Sequence, residues 1–268
     1  MKLEILLSCM HQTDLSLVEK NGIYGDVLLI NQCNLEEHIE RAYDFQKIRM
    51  ISTTERGLSR SRNEALKNAS GDICLLSDDD EVFVDNYEQI ILDSYRNLPD
   101  ADIIAFDVEN KITLLGDKIC KINYLNSLKL SSCQLSFRKN SILQHNLQFD
   151  PYMGAGTGNG CGEENKFLID CLKKKLKIYY VPKKIAVLDT SKSSWFSGFD
   201  EEFFYQRGGA TRYMMGLPLS VLYAAYYVVR KKALYCETIS PVNAAKKLFQ
   251  GILENPIKKQ KLKELSNE

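Results

Sequence analysis

Five polar residues in a row, Ser77-Asp78-Asp79-Asp80-Glu81, follow directly on the apolar run Ile73-Cys74-Leu75-Leu76. Crowded carboxylates repel one another, and a hard divalent cation relieves that repulsion while keeping ligand positions for phosphate oxygens. Asp78 and Asp80 are therefore candidate ligands for Mg²⁺ or Mn²⁺, with Asp79 facing a bound diphosphate. The competing reading is an acidic turn that caps a following helix, expected over Asn86 to Leu98. The motif alone does not separate the two.

Upstream, Gly57-Leu58-Ser59-Arg60-Ser61-Arg62-Asn63-Glu64-Ala65-Leu66 reads as a helix that ends at Ala69-Ser70-Gly71-Asp72. Ser59 can cap it, Leu58, Ala65, Leu66 and Ala69 suit a buried stripe, and Gly71 suits a left-handed stop. Arg60 and Arg62 occupy the first turn, where the helix dipole favours acidic residues. An anion nearby reverses that preference, so Arg62 is a candidate diphosphate contact.

These motifs resemble the nucleotide-sugar half of the family-two glycosyltransferases with the GT-A fold. The resemblance rests on the order Gly-Leu-Ser-X-X-Arg-Asn, then Ser-Gly-Asp, then an apolar strand ending in Asp-X-Asp. Further along, Met153 to Asn165 is similar to the family's Gly-rich loop and acidic pair, and Tyr179-Tyr180-Val181-Pro182 follows at the usual interval. The likeness extends over about residues 1 to 212. It implies an inverting transferase that moves a sugar from a nucleotide diphosphate donor, first of all a UDP-sugar, to a glycan or lipid-linked hydroxyl acceptor. It also implies a role in surface polysaccharide or glycoconjugate synthesis.

Further roles follow from the resemblance residue by residue. Ser8 and Met10, in Ser8-Cys9-Met10-His11, occupy the position that lines the nucleobase pocket, and Gln32 stands near the place where many relatives have an Asp that pairs with the base. The second acid of the family's pair is the general base, so Glu164 takes that role, with Glu163 as its competitor. Gly162 and Trp195 are expected at the acceptor. Asp189 stands where relatives carry a metal-binding His, and Arg207, before a Gly pair read as a mobile loop, is expected to reach the diphosphate.

The surrounding elements are those of an α/β protein. Apolar runs at Leu3 to Ser8, Val27 to Asn31, Ile48 to Ser52, Ile73 to Leu76 and Ile103 to Asp107 read as buried, mostly parallel strands, and a helix is expected over Glu163 to Lys174. In such a sheet the ligand crevice lies beyond the carboxyl ends of the strands, where Ser8 to His11, Asn31 to Cys33 and Asp78 to Asp80 fall. The expected architecture is a Rossmann-like GT-A domain over residues 1–212, divided into a nucleotide-sugar half (1–108) and an acceptor half (109–212). A basic helical tail, 213–268, completes it.

Composition narrows the alternatives. Formal net charge is zero, which argues against a nucleic-acid partner. From residue 211 onward, however, ten Lys and Arg stand against four Glu. Leu217 to Val229 is mostly apolar and runs into Arg230-Lys231-Lys232; it is either a packed helix or, with the later lysines, a contact for an anionic membrane surface. The eight cysteines form no Cys-X-X-Cys pair or Cys/His cluster, and no signal-peptide pattern opens the chain, so a cytoplasmic enzyme with possible peripheral attachment to the membrane is expected. Two rivals stay open. A sugar-nucleotide nucleotidyltransferase would carry a Gly-rich phosphate loop after the first strand, and Leu7 to Asp14 has no glycine. A non-catalytic nucleotide-binding scaffold would keep the fold without turnover.

Overall fold

A computed structural model describes residues 1–111, 115–157, 159–189 and 198–265. The chain divides into two compact units: Met1–Phe149 with Phe167–Ser193, and Asp150–Lys166 with Ser194–Glu268.

The first unit is built on a ten-stranded sheet. Its strands are β1 (Leu3–Met10), β2 (Asp26–Gln32), β3 (Glu37–Tyr43), β4 (Gln46–Thr53), β5 (Ile73–Asp78), β6 (Glu81–Phe83), β7 (Ile103–Glu109), β8 (Cys120–Lys121), β9 (Leu135–Arg138) and β10 (Ile178–Leu188). The order is β3-β4-β2-β1-β5-β9-β7-β10-β6, with β8 pairing to β10. Strands β1, β2, β4, β5, β7 and β10 all point one way, because β9 lies antiparallel to both β5 and β7. The mostly parallel core expected from the apolar runs is present, and each run reads as one strand with slightly longer ends.

Alternation along those strands builds two cores. Leu3, Ile5, Leu7, Val27 and Leu29 turn to one face, where Tyr87, Ile91 and Tyr95 of the helix Tyr87–Asn97 cover them. Leu6, Leu28 and Ile30 turn to the other, packed with Ala65 and Leu66 of the helix Leu58–Asn68 and with Phe137, Phe149 and Phe167. Continuous apolar runs are required here because both faces are buried.

One end of this unit is tied by a buried carboxylate. Glu4 on β1 accepts hydrogen bonds from Arg49 Nη2 (2.6 Å), Ser70 N (2.5 Å) and Gly71 N (2.9 Å). Gly71 is not the left-handed helix stop that the sequence suggests. Its backbone lies against β1 so closely that a Cβ there would sit 2.7 Å from Glu4 Cβ, and the helix instead ends where Ala69 turns extended. Nor does Ser59 cap that helix: Gly57 is the N-cap and Ser59 is buried within the first turn.

Burial alone would raise the Glu4 carboxyl, but the Arg49 and backbone donors outweigh it and hold it below its ordinary value of 4.5. A depressed acid contributes stability that is fully present above its unfolded pKa and lost as pH falls through the folded one. Urea unfolding at neutral pH should show Glu4→Gln destabilised by about 1–3 kcal/mol. Below pH about 4.5 the gap from wild type should shrink. A constant gap across that range would contradict the assignment.

The second unit is helical. Its long helix Glu201–Arg230 is kinked at Gly216 (φ 78°), just before Pro218, and packs on the helix Pro241–Glu254 around Phe204, Ala224, Tyr227, Tyr235 and Leu248. The helix runs across residue 212, at which the sequence suggested the tail begins. Gln206-Arg207-Gly208-Gly209, expected as a mobile loop, lies inside it. The Gly pair lowers helix propensity, but the glycines are there to let two backbones touch: a Cβ at Gly208 would collide with Leu248 O, and one at Gly251 with Tyr205 O. Gly251→Ala should lower stability by about 1–3 kcal/mol through this overpacking, measured by thermal unfolding. No helix among the described residues is long and apolar enough to cross a membrane.

Candidate functional site

In the first unit the acidic turn stands at the carboxyl end of β5. Register places Ser8 on β1 directly beside Asp78 on β5, and β6 then pairs with the end of β10, so that Glu81 lies opposite Leu188. The next residue, Asp189, donates its backbone N–H to the carbonyl of Asp80 at 2.8 Å. Thus Asp189, more than a hundred residues away in sequence, reaches the acidic turn through a strand pairing.

Arg62 is the organising cation. Its Nη2 donates to both oxygens of Asp78 at 3.3 Å and to Ser132 Oγ at 2.8 Å, and its guanidinium lies 5.5 Å from the Phe149 ring centroid. At 2% exposure it is sunk behind Asp78 and fixes that carboxylate from within. The sequence suggested a phosphate contact for Arg62; the observed contact is to the carboxylate. Ser132 and Phe149 were not legible as its partners, since only the tertiary fold brings them there.

Two carboxyls of the turn, Asp80 and Glu81, are strongly perturbed. Asp80, nearly buried, is pushed up to about 6, first by burial and then by the charges of Asp78 and Asp79. Glu81 is fully buried and raised well above the ordinary range, again first by burial and then by Asp78 and Asp80. Its Oε1 accepts from Asp78 N at 3.3 Å, while Oε2 has no hydrogen-bond partner among the described residues. The acidity of the turn was plain in the sequence, but burial of Glu81 was not.

This arrangement fits a divalent cation in a particular way. Among the described residues, no group of three or more His, Cys, Asp or Glu side chains gathers around one metal position, so Asp78, Asp80 and Asp189 do not form a complete cage. A crowded and desolvated pair of carboxylates suits a hard cation that takes its remaining ligands from diphosphate and water. Asp80 with Asp78 would hold it.

The first two strand ends are ordered by their own side chains. Ser61 Oγ donates to Ser8 Oγ at 2.9 Å, and Gln32 Oε1 accepts from Gly57 N at 2.7 Å, joining β2 to the start of the helix Leu58–Asn68. Asn31, which the sequence placed only among the crevice residues, donates to Gln12 O and Ser52 Oγ and accepts from Gln12 N. Met10 is half exposed at the end of β1.

The remaining candidates lie in the second unit. The Gly-rich segment is tied into its helices: Gly160 N donates to Gln206 Oε1 at 3.2 Å, Asn159 Nδ2 to Gln260 Oε1 at 2.9 Å, and Gly162 sits against Met153, Ala210 and Met214. Glu163 and Glu164 then open the helix Glu163–Lys173, with Glu163 buried and Glu164 half-buried. Arg207 is enclosed in the long helix between the rings of Phe203 and Tyr227, 4.9 Å from each centroid, and donates to Tyr223 Oη at 2.6 Å. An aromatic cage, not a closing loop, is therefore its setting. Trp195 and Gly158 lie outside the described residues.

Cys9, Cys33, Cys74, Cys133 and Cys171 are buried, Cys120 and Cys161 are half-buried, and Cys236 is exposed.

Comparison with known proteins adds the family. Residues 26–138 match glycosyl transferase family 2, a span that runs from β2 to β9 and contains Arg62 and the whole acidic turn. No curated protein sequence matches the chain. Among solved structures, the S. aureus protein TarS (residues 1–349) is similar at 12% identity and a TM-score of 0.59, over 94% of this chain and 81% of that one. TarS in complex with UDP-GlcNAc gives the same score at 13% identity, over 94% and 82% of the two chains. The mannosyltransferase PcManGT from Pyrobaculum calidifontis, in complex with GDP-Man and Mn²⁺, is similar at 10% identity and a TM-score of 0.52, over 95% and 86%. Sheet order, acidic turn and family match agree: residues 26–138 are similar to glycosyl transferase family 2, and the fold is the GT-A fold expected from the sequence.

Proposed function

We propose that this glycosyltransferase transfers a sugar, with inversion, from a nucleoside diphosphate sugar to a hydroxyl acceptor, and that it does so with a divalent metal. The observation that carries the reading is the acidic turn Asp78–Glu81, crowded, desolvated and braced by Arg62 at the carboxyl end of the parallel sheet. Asp80 and Asp78 would hold Mg²⁺ or Mn²⁺, which when bound offsets the charge that develops on the diphosphate leaving group. Arg62 fixes the Asp78 carboxylate in orientation. Ser8, Met10 and Gln32 border the nucleobase, and Asp79 faces the diphosphate.

Glu164 is the proposed base. Its carboxylate takes the proton of the acceptor hydroxyl as that oxygen bonds to the anomeric carbon and the bond from that carbon to the diphosphate breaks, releasing the nucleoside diphosphate. Glu163, at the same helix N-terminus, is more deeply buried. UDP-GlcNAc bound to TarS and GDP-Man bound to PcManGT support a nucleotide-sugar donor of this class. Incubation with a panel of UDP- and GDP-sugars, with and without glycan or lipid-linked acceptors, tests the reading. Release of nucleoside diphosphate that depends on Mg²⁺ or Mn²⁺ is expected; release of inorganic pyrophosphate from a nucleoside triphosphate and a sugar phosphate would instead mark a nucleotidyltransferase.

We further place the second unit against an anionic membrane face. Leu219, Leu222, Tyr226 and Val229 are all at least half exposed and recur at helical spacing as one stripe, which ends at Arg230-Lys231-Lys232. Lys246, Lys258, Lys259, Lys261 and Lys263 follow, while Lys247 pairs with Glu201 at 2.9 Å. Ala224 and Tyr227 belong to the buried core of the unit, so the helix cannot be removed as a tail, and point substitutions are the clean test. Anionic vesicles should retain the protein at low salt, with each cation contributing roughly 1 kcal/mol. Leu222→Asp or reversal of Lys258 and Lys259 should release it. Equal binding to neutral vesicles, or none to either, would leave the stripe unexplained.

A further inference from the structure

Strand β3 ends the sheet, and among the described residues no strand pairs with its outer edge. Its side chains are nearly all exposed, and large apolar groups stand at both ends: Leu35 (65% exposed), Tyr43 (62%) and, at the turn, Phe45 (94%). Natural sheets usually blunt such an edge with charges. Here the charges have a pattern. We propose that β3 pairs antiparallel with β3 of a second copy of this chain, about a two-fold axis at Ile39.

Backbone geometry restricts the possible registers. Tyr43 and Gln46 flank the two-residue turn Asp44-Phe45, and in such a hairpin the flanking residues exchange both hydrogen bonds. Alternation then turns the N–H and C=O groups of Tyr43, Arg41, Ile39 and Glu37 toward β4. Those of His38, Glu40 and Ala42 point to the free edge. Two copies can pair only where outward residues meet outward residues, so the axis must pass through a residue and not between two.

Charge then selects among the axes. Centred on Ile39, the pairing sets Glu37 against Arg41, His38 against Glu40, Ile39 against itself and Leu35 against Tyr43. Directly opposed residues share a face, so one face reads apolar, ion pair, apolar, ion pair, apolar across the junction. Every neighbouring register is penalised. An axis at His38 opposes Glu36 with Glu40, one at Glu37 or Glu40 opposes that glutamate with itself, and one at Arg41 opposes two arginines. The pattern is self-complementary in one register, as a two-fold interface requires. Arg41 Nη1 now donates to the Glu40 carbonyl at 3.1 Å; on pairing, that carbonyl accepts instead from the partner's backbone at His38 and the arginine turns to Glu37.

Sedimentation velocity of the full chain across the micromolar range should show a monomer–dimer equilibrium. Arg41→Glu places two glutamate pairs across the junction and should raise the dimer Kd at least about tenfold, whereas Glu37→Arg combined with Arg41→Glu exchanges the partners and should restore it. Ile39→Cys, made together with Cys236→Ser, should form a disulfide between the two positions 39 on mild oxidation, because non-hydrogen-bonded neighbours bring Cα atoms to about 4.5 Å. Peptide mapping identifies the bridge even if the charge variants fold poorly. A monomer at every concentration, a dimer indifferent to Arg41→Glu, or the absence of the 39–39 bridge would overturn the proposal.

Discussion

Asp80→Ala is expected to abolish sugar transfer while leaving the fold as stable as before, or more so. The loss follows from the chemistry: a cation that stabilises the leaving diphosphate contributes several kcal/mol, and each 1.36 kcal/mol is tenfold in rate, so a fall on the order of 10³ or more is expected. The retained stability follows from the carboxyl itself. Its pKa is raised to about 6 in the folded protein, so folding favours the protonated form, and that contribution is present at low pH and lost as pH rises through about 6. At neutral pH the ionised group is therefore held at a cost that alanine removes. Thermal unfolding of the variant should show no drop in midpoint. Titration of wild type with Mn²⁺ alone should show affinity falling as pH is lowered through about 6, since the proton and the cation compete for the same oxygens. Full activity of wild type in excess EDTA would rule out the metal role, and an Asp80→Ala protein that is both inactive and unfolded would count against the separation of fold from chemistry.

Glu164→Gln should separate proton transfer from binding. Glutamine keeps the size and polarity of the side chain but cannot take a proton, so kcat should fall by about 10² to 10⁴ while the affinity for nucleoside diphosphate is unchanged. Glu163→Gln is the internal control. Both residues open the same helix, where the dipole favours negative charge, so a helix-capping effect would weaken both variants alike in thermal unfolding. A selective loss of kcat in Glu164→Gln marks the base. The reverse pattern would move that role to Glu163, and two variants with wild-type kcat would remove the pair from catalysis altogether.

Strands β1, β2, β5 and β7 were legible because a strand buried on both faces is apolar almost throughout, and such runs end where the chain meets solvent or a ligand; β4, buried on one face only, was legible from its Ile48, Met50 and Ile51. Strand β3 was not legible, since an exposed edge strand of Glu, His and Arg has no apolar period. The helix around Gly208 was misread for a related reason: glycine signals a break in local terms, yet here it serves the contact of two helices distant in sequence. The acidic turn and the Glu163 helix start could both be read from neighbours a few residues apart.

What the sequence by itself determined, then, is what depends on local spacing: the apolar strands, the carboxylates at the end of β5, and the acidic pair after the glycines. What only the tertiary structure decided is which groups those carboxylates meet. Arg62, expected at a diphosphate, turned out to face Asp78, Glu81 proved to be buried, and Asp189 was brought to the Asp80 backbone by the pairing of β6 with β10. Arg207 was placed in an aromatic cage by helix packing. The physical reason is common to all four. Burial and long-range pairing set the charge state and orientation of a side chain, and neither quantity is a property of its neighbours along the chain.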